Sequence, residues 1–144
     1  MKKKRVLIAL GVSFVVAMMI GLLSLEIVSA QECRVVKISG RGAEQHSIML
    51  DPESIFVSKG DCVVWFNRFA ENEIMVKFEE GKKCLDVTQA PMGFTLDAES
   101  CYVTDDIPFA GTTSLRFMQP GTYKYMVKAK SGSDSWAAGS IVVK

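Results

Sequence analysis

From Arg34 onward, the chain consists of short apolar runs separated by turn-forming residues. The runs are rich in Val, Ile, Phe and Tyr, and no long segment has the period of about 3.6 residues that marks an amphipathic helix. Short strands at this spacing are typical of an all-β sandwich or barrel. The predicted strands are Arg34–Ser39, Ile55–Val57, Cys62–Asn67, Ile74–Phe78, Thr113–Phe117, Gly121–Val127 and Ser140–Val143.

Residues 1–30 have a different pattern. A basic cluster, Met1–Arg5, precedes the apolar run Val6–Leu25, and small residues follow up to Ala30. This order predicts a secretory signal peptide with cleavage after Ala30. An uncleaved N-terminal anchor remains open, because about twenty apolar residues can span a bilayer. We expect contact with a membrane only in that case.

The charge balance changes when residues 1–30 are set aside. The whole chain has 17 Lys and Arg and 16 Asp and Glu, a net charge of +1. Residues 31–144 keep 13 basic and 15 acidic residues, a net of −2. Because they contain no basic patch, we expect no nucleic-acid partner. These 114 residues suit one domain located outside the cytoplasm, in the periplasm or secreted.

All four cysteines lie in the portion predicted to be exported. An even number in an oxidising compartment predicts two disulfides, and the sequence does not choose among the three possible pairings. A thiolate metal site is the competing interpretation, but the chain has no Cys-x-x-Cys and only one histidine.

Two blocks of sequence resemble cupredoxins, the small blue-copper proteins, and amicyanin and plastocyanin in particular. The first block is Ile48–Phe78, in which a Lys-Gly-Asp turn leads to a Val-x-Trp-x-Asn strand. The second is Thr113–Lys144, with Gly-Thr-Tyr-Lys-Tyr and a closing Gly-Ser-Ile-Val-Val strand. The resemblance implies a Greek-key β-sandwich of about seven to eight strands.

The same resemblance assigns the copper-ligand positions. The first histidine falls on Glu73, the cysteine ligand near Val127 and the second histidine near Lys130. A blue-copper site needs a thiolate and two imidazoles. Since the chain has one histidine in total, we expect no copper cofactor of the usual kind.

An atypical copper or electron-transfer site is the alternative. Its candidate ligands are Glu73, a position where unusual cupredoxins use a carboxylate, and His46, Met75 and Met126, whose side chains can bind copper. Each also has an ordinary interpretation: a solvated glutamate, a surface histidine and methionines that fill the core.

The resemblance also suggests how the cysteines pair. Cys84 and Cys101 bracket residues 85–100, where typical cupredoxins have a looser connection. A disulfide there would close the loop and contribute about 3 kcal/mol. Cys33 and Cys62 would then form the second pair, because each begins a strand and these two strands lie parallel in cupredoxins.

Catalytic motifs are absent from the sequence. It has no Gly-x-Ser-x-Gly elbow, no phosphate-binding glycine loop and no His-Glu-x-x-His. The neighbouring carboxylates Asp105 and Asp106 are interpreted as solvated turn charges. We expect a protein that is not an enzyme.

Two aromatic residues, Phe69 and Trp136, fall in predicted loops near the metal end of a cupredoxin. They either form a docking patch for a protein partner in the cell envelope or pack into the space left by the metal. The sequence therefore predicts an exported cupredoxin-like binding or assembly module, with an atypical copper protein as the alternative.

Overall fold

The structure is a computed structural model that describes residues 32–41, 47–70, 72–79, 87–130 and 135–144. Every secondary-structure element of these residues is a β-strand, which confirms the predicted all-β class. The eleven strands are β1 (Cys33–Arg41), β2 (Ser47–Asp51), β3 (Ser54–Val57), β4 (Cys62–Asn67), β5 (Ile74–Phe78), β6 (Thr88–Met92), β7 (Phe94–Leu96), β8 (Tyr102–Thr104), β9 (Thr112–Phe117), β10 (Gly121–Ala129) and β11 (Trp136–Val143).

The strands form two sheets. One has five strands in the order β2-β1-β4-β9-β6, and the other has six in the order β3-β11-β10-β5-β8-β7. Most neighbours are antiparallel, but β1 lies parallel to β4 and β3 lies parallel to β11. The parallel pairing of the strand that begins at Cys33 with the strand that begins at Cys62 is the arrangement the cupredoxin resemblance implies.

A single apolar core lies between the two sheets. Side chains on the strands alternate between the core and the outside, as in β4, where Val63, Trp65 and Asn67 are buried. The Trp65 ring of the five-stranded sheet contacts Tyr125 and Phe78 of the six-stranded sheet edge to face, with centroids 5.4 and 5.8 Å apart. These contacts across the sandwich fix how the sheets face each other.

The structure has more strands than the seven to eight implied by the resemblance. Four strands were not predicted: β2, β6, β7 and β8. Strands β6 and β7 lie within residues 85–100, whose structure the sequence left open. β6 pairs with β9, and β7 pairs with β8, so the described part of this insert adds an edge strand to each sheet.

Cys33 and Cys62 form a disulfide. The parallel register places them directly opposite each other, with their Cα atoms 4.5 Å apart. Cys84 lies outside the described residues, so its pairing with Cys101 stays a prediction. Cys101 itself is buried, and its Sγ lies 3.9 Å from the carbonyl oxygen of Glu79.

The predicted signal peptide or anchor, residues 1–30, lies outside the described residues, and so does His46. Within the described part of the chain, no helix has the length and apolar character needed to cross a membrane.

Candidate functional site

Glu73 and Lys130, the residues at or next to the positions to which the resemblance assigns histidine ligands, lie opposite each other on neighbouring strands. In the antiparallel pair of β5 and β10, Ala129 faces Ile74. The next pair along the ladder is therefore Lys130 and Glu73, and the backbone N–H of Lys130 donates to the Glu73 carbonyl at 2.9 Å. Directly opposed residues bring their Cβ atoms within about 5 Å, so the register alone makes these side chains neighbours.

The two side chains form an ion pair. The Lys130 Nζ lies 2.8 Å from Oε2 of Glu73 and 2.5 Å from Oδ2 of Asp106. Asp106 reaches this position because the adjacent Ile107 forms a β-bridge with Ile74. Sequence reasoning missed Asp106, which it treated as a solvated turn charge, because the bridge joins segments far apart in the chain.

The carboxylates stabilise the protonated form of the lysine, which is already its usual form at physiological pH. The hydrogen bond to Asp106, followed by the one to Glu73, raises the pKa of Lys130 well above its usual value. Lys130 therefore stays protonated across the physiological range. A protonated amine has no lone pair for a metal ion and repels a cation from the Glu73 carboxylate.

The third ligand position is also unsuited to copper. Val127, where the resemblance places the cysteine ligand, is fully buried and faces Val76 across the strand pair. The three positions thus offer a carboxylate, an isopropyl group and an ammonium group in place of a thiolate and two imidazoles. These residues do not fit a blue-copper ion. Among the described residues, no group of three or more His, Cys, Asp or Glu side chains is placed to hold a metal.

A buried amide organises the loops beside this ion pair. Asn67, fully buried at the end of β4, donates through Nδ2 to the carbonyl oxygens of Asn72 and Ile107, each at 2.9 Å. Its Oδ1 accepts the backbone N–H of Phe69 at 2.8 Å. One side chain therefore holds the loop that leads to Glu73 against the loop that carries Asp106.

Of the two interpretations of Phe69, its burial supports packing into the interior, because this side chain is only 2% exposed. Its ring lies over Gly40 of β1, so closely that a Cβ on Gly40 would come within 2.6 Å of the ring. Phe69 belongs to the core and offers no surface to a partner. Trp136, predicted in a loop, begins β11 and is 63% exposed.

The structure places Met75, Met126 and Trp136 on the outer face of the six-stranded sheet. Met126 is partly exposed and does not fill the core. The three residues line one shallow groove together with Lys77 and Lys128. Glu73 lies outside the set of residues that line this groove, and the placement of His46 relative to it is not described.

Comparisons with known proteins give a likeness in solved structures. No protein-family model matches the chain, and no curated protein matches it. Solved structures that are similar include variants of amicyanin. A methionine-to-alanine mutant in the Cu(I) form is 23% identical, with 80% of this chain and 85% of that chain covered and a TM-score of 0.48. A proline-to-phenylalanine mutant in the reduced state is 21% identical, with 83% and 87% covered and the same TM-score, 0.48.

The fold assignment rests on this chain itself. The first sequence block contains β3, β4 and β5, and the second contains β9, β10 and β11. Its sheets have the parallel pairing of β1 with β4, and its core joins Trp65 to Tyr125. We conclude that the chain has a cupredoxin-like β-sandwich fold.

Proposed function

We propose that this chain is an exported, non-catalytic binding or assembly module of the cell envelope that uses a cupredoxin-like frame without a blue-copper centre. The observation that carries the proposal is the ion pair between Glu73 and Lys130. It joins the two positions that the resemblance assigns to histidine ligands, and Asp106 completes it from a third segment.

Two features support export. Residues 1–30 have the order of a signal peptide: a basic cluster, an apolar run and small residues. The disulfide between Cys33 and Cys62 suits an oxidising compartment, since cytoplasmic thiols are kept reduced.

The absence of catalytic motifs from the sequence favours a binding role, for which Trp136 offers an exposed aromatic side chain.

Titration with copper tests the proposal. The purified protein without residues 1–30 is titrated anaerobically with Cu(I) and aerobically with Cu(II), beside the Glu73→Ala variant. We expect no stoichiometric tight binding to either form. If the wild type binds one equivalent of copper and Glu73→Ala does not, the proposal is refuted in favour of an atypical copper site.

One observation favours a second candidate, a Cu(I) site built on thioethers. Met75 and Met126 lie on adjacent strands, diagonal to each other on the same face of the sheet. Thioethers prefer Cu(I), although Lys77 and Lys128 place positive charge beside both sulfurs. Cu(I) binding that Met126→Leu abolishes and Glu73→Ala leaves intact would select this candidate.

A further inference from the structure

The outer face of the six-stranded sheet carries a groove of about 350 Å³. We call it the methionine–tryptophan groove. The described residues that line it are Met75 and Lys77 of β5, Met126 and Lys128 of β10 and Trp136 of β11. This volume lies at the lower end of the range of about 300–1,000 Å³ that is typical of ligand sites.

The strand register builds the groove from two rows of side chains. Lys128 of β10 faces Met75 on one side and Trp136 on the other. The neighbouring row on the same face has Met126 between Lys77 and Ala138. Each lysine therefore lies beside a large apolar side chain, and the two kinds of residue alternate across the sheet.

The apolar part of the groove is open to solvent. Trp136 is 63% exposed and Met126 is 37% exposed, whereas Trp65, the other tryptophan, is fully buried in the core. Tryptophan and methionine are enriched where protein interfaces form, and buried tryptophans carry much of the binding energy. An exposed tryptophan beside methionines therefore marks this face as a candidate contact surface.

The exposed positive charge of the groove comes from Lys128. The described charged residues in its wall are Lys77 and Lys128, and no carboxylate is among its described lining residues. Asp97 lies 3.3 Å from Lys77 and balances its charge, whereas Lys128 is exposed. Complementary charge across an interface steers encounter and fixes register, so the groove suits a negatively charged partner.

The shape of the face favours an extended chain. A second groove of about 360 Å³ adjoins the first, shares Lys77 and Met126 with it and continues to Phe78 and Glu79. From Met75 to Glu79 the surface follows four residues of chain, about 13 Å at the rise of a strand. At this far end Glu79 lies opposite Lys124 and their charges offset each other, so an acidic group of a partner belongs at the Lys128 end.

We propose that the methionine–tryptophan groove docks an acidic segment of a partner protein that carries an apolar side chain. The apolar side chain lies against Met75, Met126 and Trp136, and a neighbouring carboxylate pairs with Lys128. The inference rests on the proposed binding role and names the surface and partner chemistry of that role. A concave surface receives an inserted side chain, whereas membrane attachment requires apolar residues that protrude.

Fluorescence anisotropy with a designed probe tests the proposal. The probe is a fluorescein-labelled peptide rich in Glu and Asp with a pair of leucines at its centre. We expect the protein to bind it, and Lys128→Glu and Met126→Gln each to raise the Kd about tenfold. Lys37→Glu is the matched control, because Lys37 is exposed on β1 of the other sheet, and we expect its Kd to change less than about threefold.

Companion probes decide between partner classes. A peptide with serine in place of leucine, and one with lysine in place of the acids, are expected to bind at least about tenfold more weakly. We expect Lys128→Glu to leave the binding of anionic phosphatidylglycerol vesicles unchanged. The bound peptide is also expected to protect Trp136 from acrylamide quenching.

Several results would overturn the inference: no binding of the acidic peptide, equal binding of the lysine peptide, or equal weakening by Lys37→Glu. Vesicle binding through the same residues would assign the face to a membrane and also refute the proposal. The copper titration is run on the same preparations. If the wild type binds neither the acidic peptide nor copper, only the inference about the groove is refuted. Stoichiometric copper binding by the wild type refutes the proposed function itself.

Discussion

Gly139 of β11 lies directly opposite Tyr125 of β10, and the tyrosine ring occupies the space of a missing side chain. A Cβ on Gly139 would lie 2.3 Å from Cζ of Tyr125. Because Tyr125 is fully buried against Trp65, its ring has little room to move. This close approach explains why glycine precedes the final strand motif Ser-Ile-Val-Val.

We predict that Gly139→Ala lowers the free energy of unfolding by about 2–3 kcal/mol, the upper part of the range for overpacking a core. Urea denaturation measures the change. The matched control is Ala138→Ser, since Ala138 is exposed on the same strand and we expect a change within about 0.5 kcal/mol. An unchanged midpoint in Gly139→Ala would contradict the close packing of Tyr125.

Asp97 links the described end of the insert to β5. Its Oδ1 accepts the backbone N–H groups of Cys101 at 2.9 Å and Glu99 at 3.0 Å, and its other oxygen lies 3.3 Å from Lys77. The hydrogen bond from Cys101 lowers the pKa of Asp97 below its usual value of 3.8, and Lys77 adds to this effect, while burial opposes it. The ionised carboxylate is therefore the form that stabilises the fold.

A carboxylate whose pKa is lower in the folded state stabilises the protein above the unfolded pKa, and this contribution is lost as the pH falls through the folded pKa. We predict that Asp97→Asn is less stable than the wild type at neutral pH and that the difference shrinks below pH 3.8. Thermal melting across this range checks the prediction. A difference that stays constant with pH would show that the Asp97 charge is not involved.

At the scale of elements, the disulfide fixes the start of the parallel pair β1 and β4. Cys33 and Cys62 are 29 residues apart, and closing a loop of this length contributes about 3–4 kcal/mol on the chain-entropy estimate. We predict that the double variant Cys33→Ser and Cys62→Ser loses about this much stability. Chemical denaturation of both proteins without reductant makes the comparison, and equal stability would contradict a structural role for the bond.

The strands that the sequence predicts well are those whose own pattern matches their burial. In β4 and β5, apolar residues alternate with residues of the outer face, and the predicted bounds Cys62–Asn67 and Ile74–Phe78 match the structure. The fold could therefore be inferred from local alternation together with the cupredoxin motifs.

The missed strands depend on pairing partners rather than on their own pattern. In β6 only Thr88 is buried, and the strand contains Pro91, which suits an edge position and conceals the strand in the sequence. Strands β7 and β8 have three residues each, too few to show a period. The location of β6 depends on its partner β9, and the location of β8 depends on its partner β5. β7 in turn pairs with β8.

The positions of two residues in the candidate site could be predicted from the sequence, but their contacts could not. The motifs placed Glu73 and Lys130 at ligand positions, but their ion pair follows from the register of β5 and β10, which no sequence pattern specifies. The contact of Asp106 depends on a β-bridge between Ile74 and Ile107. Long-range pairing of this kind is decided by the whole fold, so the sequence alone treated these charges as solvated.

At the scale of the whole molecule, the sandwich is held by apolar packing. The rings of Phe78, Phe94 and Tyr125 surround Trp65, and burying such rings is a main favourable contribution to folding. Val127 belongs to this core, whereas Glu73 and Lys130 are exposed and form their ion pair outside it. The packing of the two sheets therefore does not depend on the side chains of Glu73 and Lys130.

The cupredoxin resemblance assigns blue-copper ligand positions to Glu73 and to the vicinity of Val127 and Lys130, and we infer that these residues replace the ligands. The most direct measurement is the visible absorbance of the wild type and of the triple variant Glu73→His, Val127→Cys and Lys130→His during titration with Cu(II). We predict that the wild type stays colourless and that the triple variant binds one equivalent with a thiolate charge-transfer band. Stoichiometric copper binding by the wild type, or a folded triple variant that binds none, would contradict this inference.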